Sequence, residues 1–369
     1  MYRQTDVFVI GGGPAGLATA IAAARKGFSV TVADGAAPPI DKPCGEGMMP
    51  ETQAALRNLG VELPVNPGRN FRGVRFVHEQ TEIAADFPQG QGIGIRRPLL
   101  HAVLIEAADN CGVKLLWKTT VAGLEPRGVR LASGFAAARW IIGADGSASR
   151  VRHWAALEGT VKRTQRMAVR RHYRVSPWSE YMEIHWGARA QAYVTPTARD
   201  EVCIVMLGDT AEDVAFDRVL RELPTLQQRL AGAEPGGRER GAVTAMHHLH
   251  RVARGNVALI GDASGGVDAI TGEGLRLSFR QAAALASAIE AGNLREYECA
   301  HRELQRRPSW MGKLLVELGR RKDIRARLMR AMGQRPELLR KMLAIHVGRA
   351  TPMEVFAAGA QLGWQFISA

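Results

Sequence analysis

The sequence predicts an α/β protein: a Rossmann-like nucleotide-binding domain, a mostly antiparallel β-sheet inserted into it, and a C-terminal helical segment. Three observations carry that expectation. The N-terminus holds a strand, glycine loop, helix and second strand in one unit. Two later buried strands run into GADG and GDASGG. Between those two lies a run of short strands with period-two patterning.

The first unit is DVFVIGGGPAGLATAIAAARKGFSVTVAD, residues 6–34. Residues 7–10 are apolar without a polar break, as in a strand buried on both faces. Gly11, Gly13 and Gly16 follow at GxGxxG spacing. Gly11 permits the tight turn, Gly13 the approach of a pyrophosphate, and Gly16 close packing of helix on strand. Pro14 and Ala15 open an Ala-rich helix whose unpaired N–H groups favour phosphate. The second strand ends on Asp34, where a carboxylate accepts from ribose hydroxyls and repels a 2′-phosphate. The nucleotide is therefore expected to be FAD or NAD rather than NADP.

A proline-rich loop then leads into CGEGMMP and a helix over residues 51–59. Residues 72–78 and 81–87 read as a strand pair. A helix spans 99–111 behind Pro98, strands cover 113–117 and 120–124, and a buried strand covers 140–142. From residue 151 the pattern changes: 167–175, 181–186, 190–194 and 201–207 read as an antiparallel sheet. Helical residues 216–230 are broken near Pro224. Residues 256–260 return to a buried strand, followed by a Gly-rich loop and a long Ala-rich helix to Glu290. The nucleotide domain is thus expected over 1–70, 95–160 and 240–295. The inserted sheet takes 71–94 and 161–239, and a basic helical region takes 296–369.

Composition bounds the function. With 369 residues, 46% of them hydrophobic, the chain can bury two joined domains or one large one. The N-terminus does not read as a signal peptide, and no apolar run is long enough to span a bilayer. Cys44, Cys111, Cys203 and Cys299 show no pairing or metal spacing, which suits a cytoplasmic protein. The net charge of +13 favours anionic partners: phosphates, an acidic carrier protein or an anionic membrane surface. It does not suggest a specific nucleic-acid reader, because aromatic residues are not interleaved for stacking. His247, His248 and His250 do not form a metal site, since no carboxylate or cysteine stands at ligand spacing.

At this point the chain resembles the FAD-dependent oxidoreductases that include p-hydroxybenzoate hydroxylase-type monooxygenases and geranylgeranyl reductases. GGGPAG with Asp34, ADGSASRVR, and ALIGDASGGVDAITGEGLRLSFRQA carry the resemblance, in that order. It implies a glutathione-reductase-type FAD domain and FAD as cofactor. Asp145 matches the family's DG pair and Asp262 its GD pair. Gly272, Gly274 and Leu275 open the helix expected to face the flavin. Arg97 matches an arginine reaching the flavin's phosphates or ribityl chain, and Val121 the position meeting adenine. DKPCGEGMMP is similar to the reductases' cysteine–glycine motif, which places Cys44 and Gly45 near flavin and substrate.

The resemblance implies a monooxygenase that hydroxylates an apolar aromatic, polyketide-like or lipid-like molecule through a flavin C4a-hydroperoxide. Its rival is a reductase of carbon–carbon double bonds. Thr195 stands where those reductases carry an aromatic residue, which weakens the rival. The substrate pocket is expected between inserted sheet and flavin, lined by Met48, Met49, Tyr193 and Met206. No second nucleotide unit appears, so NAD(P)H is expected to bind transiently, or another donor reduces the flavin.

Overall fold

The computed structural model describes residues 4–79, 81–159, 164–246, 248–350 and 353. Its centre is a parallel sheet in the order Ala253–Arg254, Val257–Leu259, Gly134–Gly143, Thr5–Ile10, Val30–Ala33, Lys114–Leu116. Every pairing along it is parallel except the short edge strand Ala253–Arg254. Val7, Val9 and Ile142 are fully buried, as strands covered on both faces require. Helices Pro14–Ala24, Arg97–Asn110 and Gly274–Glu290 cover one face and share a core with it through Leu17, Leu104 and Leu285.

The 140–142 strand proves to be the end of a ten-residue strand, Gly134–Gly143. Its first half pairs with Gly128–Leu131, which pairs in turn with Val121–Glu125. Each strand of this meander is short and punctuated by glycine, so the local pattern showed only its buried end.

The inserted sheet runs in the order Glu234–Pro235, Thr164–Arg174, Glu201–Gly208, Gln191–Ala198, Tyr181–Trp186, Gly73–His78, Thr81–Asp86. Arg240–Met246 also pairs with Thr164–Arg174, so the insert extends past its expected boundary at residue 239. That pairing joins segments some seventy residues apart, which no local periodicity reveals. A small three-stranded sheet of Gly47–Met48, Gly92–Gly94 and Arg69–Phe71 was also unforeseen and seats the cysteine loop.

Side chains alternate across the insert. Ala192, Val194, Ile204 and Met206 face outward onto helices Phe216–Arg221 and Pro224–Arg229, in a core with Phe216, Val219 and Leu226. Ile184, Trp186, Val205 and Leu207 face inward. The inner face is roofed by helices Lys322–Gln334 and Pro336–Val347, through Leu328, Met329, Met332, Leu339 and Leu343. The basic C-terminal region therefore turns its apolar stripe to the sheet and its arginines largely to solvent. Residues 351–352 and 354–369 of the expected helical region lie outside the described residues.

Candidate cofactor and substrate site

The glycine loop has the close contacts its spacing demanded. Gly11 sits at φ +111°, and a Cβ there would lie 2.4 Å from the Ala144 carbonyl oxygen. A Cβ at Gly16 would lie 1.9 Å from the Gly11 carbonyl oxygen. These two glycines pack backbone against backbone. Gly13 differs: a Cβ there would meet nothing within 4 Å, because the residue opens onto a cavity. Pro14 and Ala15 line the same cavity at the helix N-terminus.

Asp34 stands at the end of Val30–Ala33, accepting from Gly12 N at 2.7 Å and Ala36 N at 2.7 Å. Its carboxylate thus holds the glycine loop where it was expected to meet ribose. Val121 is buried, and its neighbour Thr120 touches Gly35, beside Asp34. His101, missed in the sequence, is fully buried and bridges two loops. Its Nδ1 accepts from Ile40 N at 3.1 Å, so its Nε2–H donates to the Gly12 carbonyl at 2.8 Å. Burial keeps its pKa below the usual histidine value.

Asp145 requires a correction. Its carboxylate accepts from Ser149 Oγ at 2.5 Å, Arg150 N at 2.7 Å and Val151 N at 3.1 Å, so it caps helix Arg150–Trp154. Its neighbours Ala144, Gly146 and Ser147 line the cavity instead. Asp262 does open onto the cavity, and its carboxylate has no hydrogen bond among the described residues. The loop that carries it is clamped by one face of helix Leu294–Arg320. Tyr297 donates to the Leu259 carbonyl at 2.7 Å, His301 meets Ser264 Oγ at 2.9 Å, and Gln305 reaches the Gly265 carbonyl. Their i, i+4, i+8 spacing was a readable signal that sequence analysis passed over. Gly272, Gly274 and Leu275 line the cavity at the start of Gly274–Glu290.

The cysteine loop is anchored on both sides of Cys44. Glu46, at φ 57° and only 2% exposed, accepts from Arg97 N at 2.9 Å and Arg170 Nη1 at 3.1 Å. Its other oxygen lies 2.7 Å from His172 Nε2. Arg170 also grips Asp41 through two hydrogen bonds of 3.0 and 2.8 Å. Against the burial that would raise it, the Arg170 guanidinium holds the Asp41 carboxyl below the usual range. So Asp41 and Glu46, flanking Cys44, are both tied to one arginine of the insert. Glu46, His172 and Cys203 also meet as a group of metal-ligand types. Arg170 already supplies the cation beside Glu46, and burial raises the Cys203 thiol well above its ordinary pKa, so this donor set does not suit a metal. His247 lies outside the described residues.

Cys44 and Gly45 both line the cavity, and a Cβ at Gly45 would meet nothing within 4 Å. From there the cavity continues beneath the insert, with a volume of about 390 Å³. Met49 and Tyr193 line it. Burial pushes the Tyr193 phenol well above its ordinary pKa, so it stays protonated, 3.3 Å from the Ile270 carbonyl. Met48 and Met206 are corrections. Met48 is fully buried in the core of the nucleotide domain, one residue out of phase with Met49. Met206 faces the outer helices, because Val205 and Leu207 take the inward positions on its strand.

Residues 4–295 match the family model described as FAD binding domain. The chain belongs to that family. The menaquinone reductase of Mycobacterium tuberculosis is 29% identical over 317 residues, covering 79% of this chain and 78% of that one. Digeranylgeranylglycerophospholipid reductase 1 of Methanothermobacter thermautotrophicus is 25% identical, covering 82% and 81%. Among solved structures, a flavoprotein/dehydrogenase from Cytophaga hutchinsonii superposes with a TM-score of 0.80 at 17% identity, covering 94% and 93%. The protein is an FAD-dependent oxidoreductase.

The residues present fit FAD. Gly13, Gly45 and Gly274 each leave open space where a side chain would stand, along one wall of one cavity. Arg97 Nε is buried there without a hydrogen-bond partner, as a group awaiting an anion would be. No helix among the described residues is long and apolar enough to cross a membrane.

Proposed function

We propose that the chain is a reductase of carbon–carbon double bonds in an elongated, apolar substrate. The observation that carries this reading is the cavity's continuity: it runs from the Cys44–Gly45 loop to the Met- and Leu-lined roof between mostly apolar walls. The two reductase relatives support it, since one is named for menaquinone and the other for a digeranylgeranyl phospholipid.

When bound, FAD supplies two-electron hydride chemistry. The chain's residues do the rest. Gly13 and the N-terminus of Pro14–Ala24 receive the diphosphate, with Arg97 as counter-charge. Asp262 accepts from the cofactor's hydroxyls. The N-terminus of Gly274–Glu290 presents N–H groups to the electron-rich ring. The roof excludes water. Reduction of a double bond also needs a proton. Asp268 lines the cavity, is 2% exposed, and has Oδ2 buried without a partner. Burial raises its pKa, so it is suited to hold that proton. NAD(P)H is the proposed transient donor to the cofactor.

The test is an anaerobic turnover with geranylgeraniol, dithionite or NAD(P)H, and product analysis by mass. Gain of two hydrogens without oxygen supports the reductase, and Asp268→Asn should slow it at least tenfold. A second reading is hydroxylation. Thr195 favours it: this position is 1% exposed with Oγ1 unpartnered in the cavity, a polar group where related reductases are aromatic. Oxygen consumption stoichiometric with a product heavier by one oxygen atom would replace the first reading with this one. For delivery of apolar substrate we infer contact with an anionic lipid surface through exposed Trp310, Leu314 and Arg306. Vesicle binding that weakens with salt would test it.

A further inference from the structure

The cavity ends on a charge that the flavin chemistry does not use. Arg325, on helix Lys322–Gln334, lines the cavity and is only 3% exposed. Its guanidinium lies over the Trp186 ring, 5.5 Å from the centroid, and Nη1 donates to the Gly319 carbonyl at 2.8 Å. Nε is buried without a hydrogen-bond partner. Among the described residues no carboxylate stands within ion-pair distance of it. The nearby His78 is held below its ordinary pKa by burial and by Arg325 itself, so it stays neutral. An arginine cannot shed its proton, and a buried unpaired cation is costly. Glu79 acts on it only through space, so the site holds a positive charge with no carboxylate in contact, and it lacks one negative charge.

Its position is opposite the reactive loop. Met182 and Thr195 approach Gly47 at one end of the paired strands, while Trp186 and Gln191 pair at the other end and touch Gly319. Four residues of strand separate the two ends, about 13 Å at 3.3 Å per residue. The walls between are Ile184, Tyr193, Val205 and Leu207.

We propose that Arg325 is a specificity-determining residue that binds the carboxylate head of an amphipathic substrate, leaving the apolar body to reach the Cys44 loop. A carboxylate carries the single negative charge that one guanidinium neutralises, and it matches the guanidinium fork. A phosphate dianion would leave a second charge buried. This inference rests on the proposed reading only in placing the reacting end at the cysteine loop.

The test is equilibrium binding to the oxidised holoenzyme, followed by Trp fluorescence, with decanoate against decan-1-ol. Decanoate is expected to bind at least tenfold tighter, with a preference that survives 0.5 M NaCl because the pair is shielded from solvent. In Arg325→Met the preference should vanish while decan-1-ol still binds, and Arg325→Lys should restore part of it. Equal affinity for acid and alcohol in the wild type overturns the proposal, as does an acid preference that persists in Arg325→Met or disappears in salt. The wild-type comparison decides even if the variants fold poorly. No turnover is involved, so a failed reductase assay leaves this result standing, and the reverse.

Discussion

The packed turn of the nucleotide domain and the open cavity beside it use glycine and burial in opposite ways. In the nucleotide half, Gly11 and Gly16 are filled by backbone: any side chain would collide within 2.4 Å. Around the shared cavity, Gly13, Gly45 and Gly274 are surrounded by space. The first half is packed to hold one ligand geometry. The second is a room whose walls join the nucleotide domain to the insert, the cysteine loop and the C-terminal helices. Packing without slack gives a sharp sequence motif; a room needs only apolar residues on the right side of each strand.

That contrast can be broken by mutation. The seam between halves should be the most sensitive place. Arg170→Met takes the nearest cation from buried Glu46 while Asp41 keeps Arg240, and should cost about 3 kcal/mol in chemical denaturation. In the packed half, Gly16→Ala forces a carbon against the Gly11 carbonyl and should cost about 3 kcal/mol with loss of bound flavin.

Acid should attack the clamp on the Asp262 loop. Burial holds His301 down to a pKa of about 4, against 6.5 for the unbound side chain. The unfolded chain therefore takes a proton first. Stability from this group is complete above pH 6.5 and falls as pH drops toward 4, by about 3 kcal/mol at the limit. Thermal melts across that window should show the decline, and His301→Asn should flatten it.

The room should be more tolerant. Met332→Ala removes a roof side chain that already borders open space, and should cost about 2 kcal/mol, the low end for a buried methionine. Smallest of all, Gly13→Ala should change apoprotein stability by less than about 0.5 kcal/mol, yet weaken FAD binding at least tenfold, because its Cβ enters only the space kept for the cofactor. Equal losses of stability in Gly13→Ala and Gly16→Ala would erase the distinction drawn between packed and cavity-facing glycines.

Legibility in the sequence followed the same division. Residues 6–34 announced strand, turn, helix and acid in one local run, and the structure holds Thr5–Ile10, Pro14–Ala24 and Val30–Ala33 there. Tyr181–Trp186 was readable to the residue because a period-two strand advertises its own face. What stayed hidden was non-local. Nothing near Glu46 indicates that Arg170 and His172 will meet it from more than a hundred residues away. Met48 and Met206 looked like pocket residues by type, and only the strand phase put Met49, Val205 and Leu207 on the wall. Asp145 was read as a ligand contact because a DG turn beside a cavity and a helix cap have the same sequence.

The most direct test of the two-part site is a flavin titration of the apoprotein with and without a plug in the room. Met332→Trp fills the roof side of the cavity and touches none of the glycine wall. Geranylgeraniol is expected to shift the flavin band of the wild type; the variant should bind FAD with the wild-type affinity and lose that shift. Loss of FAD binding in a folded Met332→Trp protein, or a shift that persists unchanged, would contradict the account.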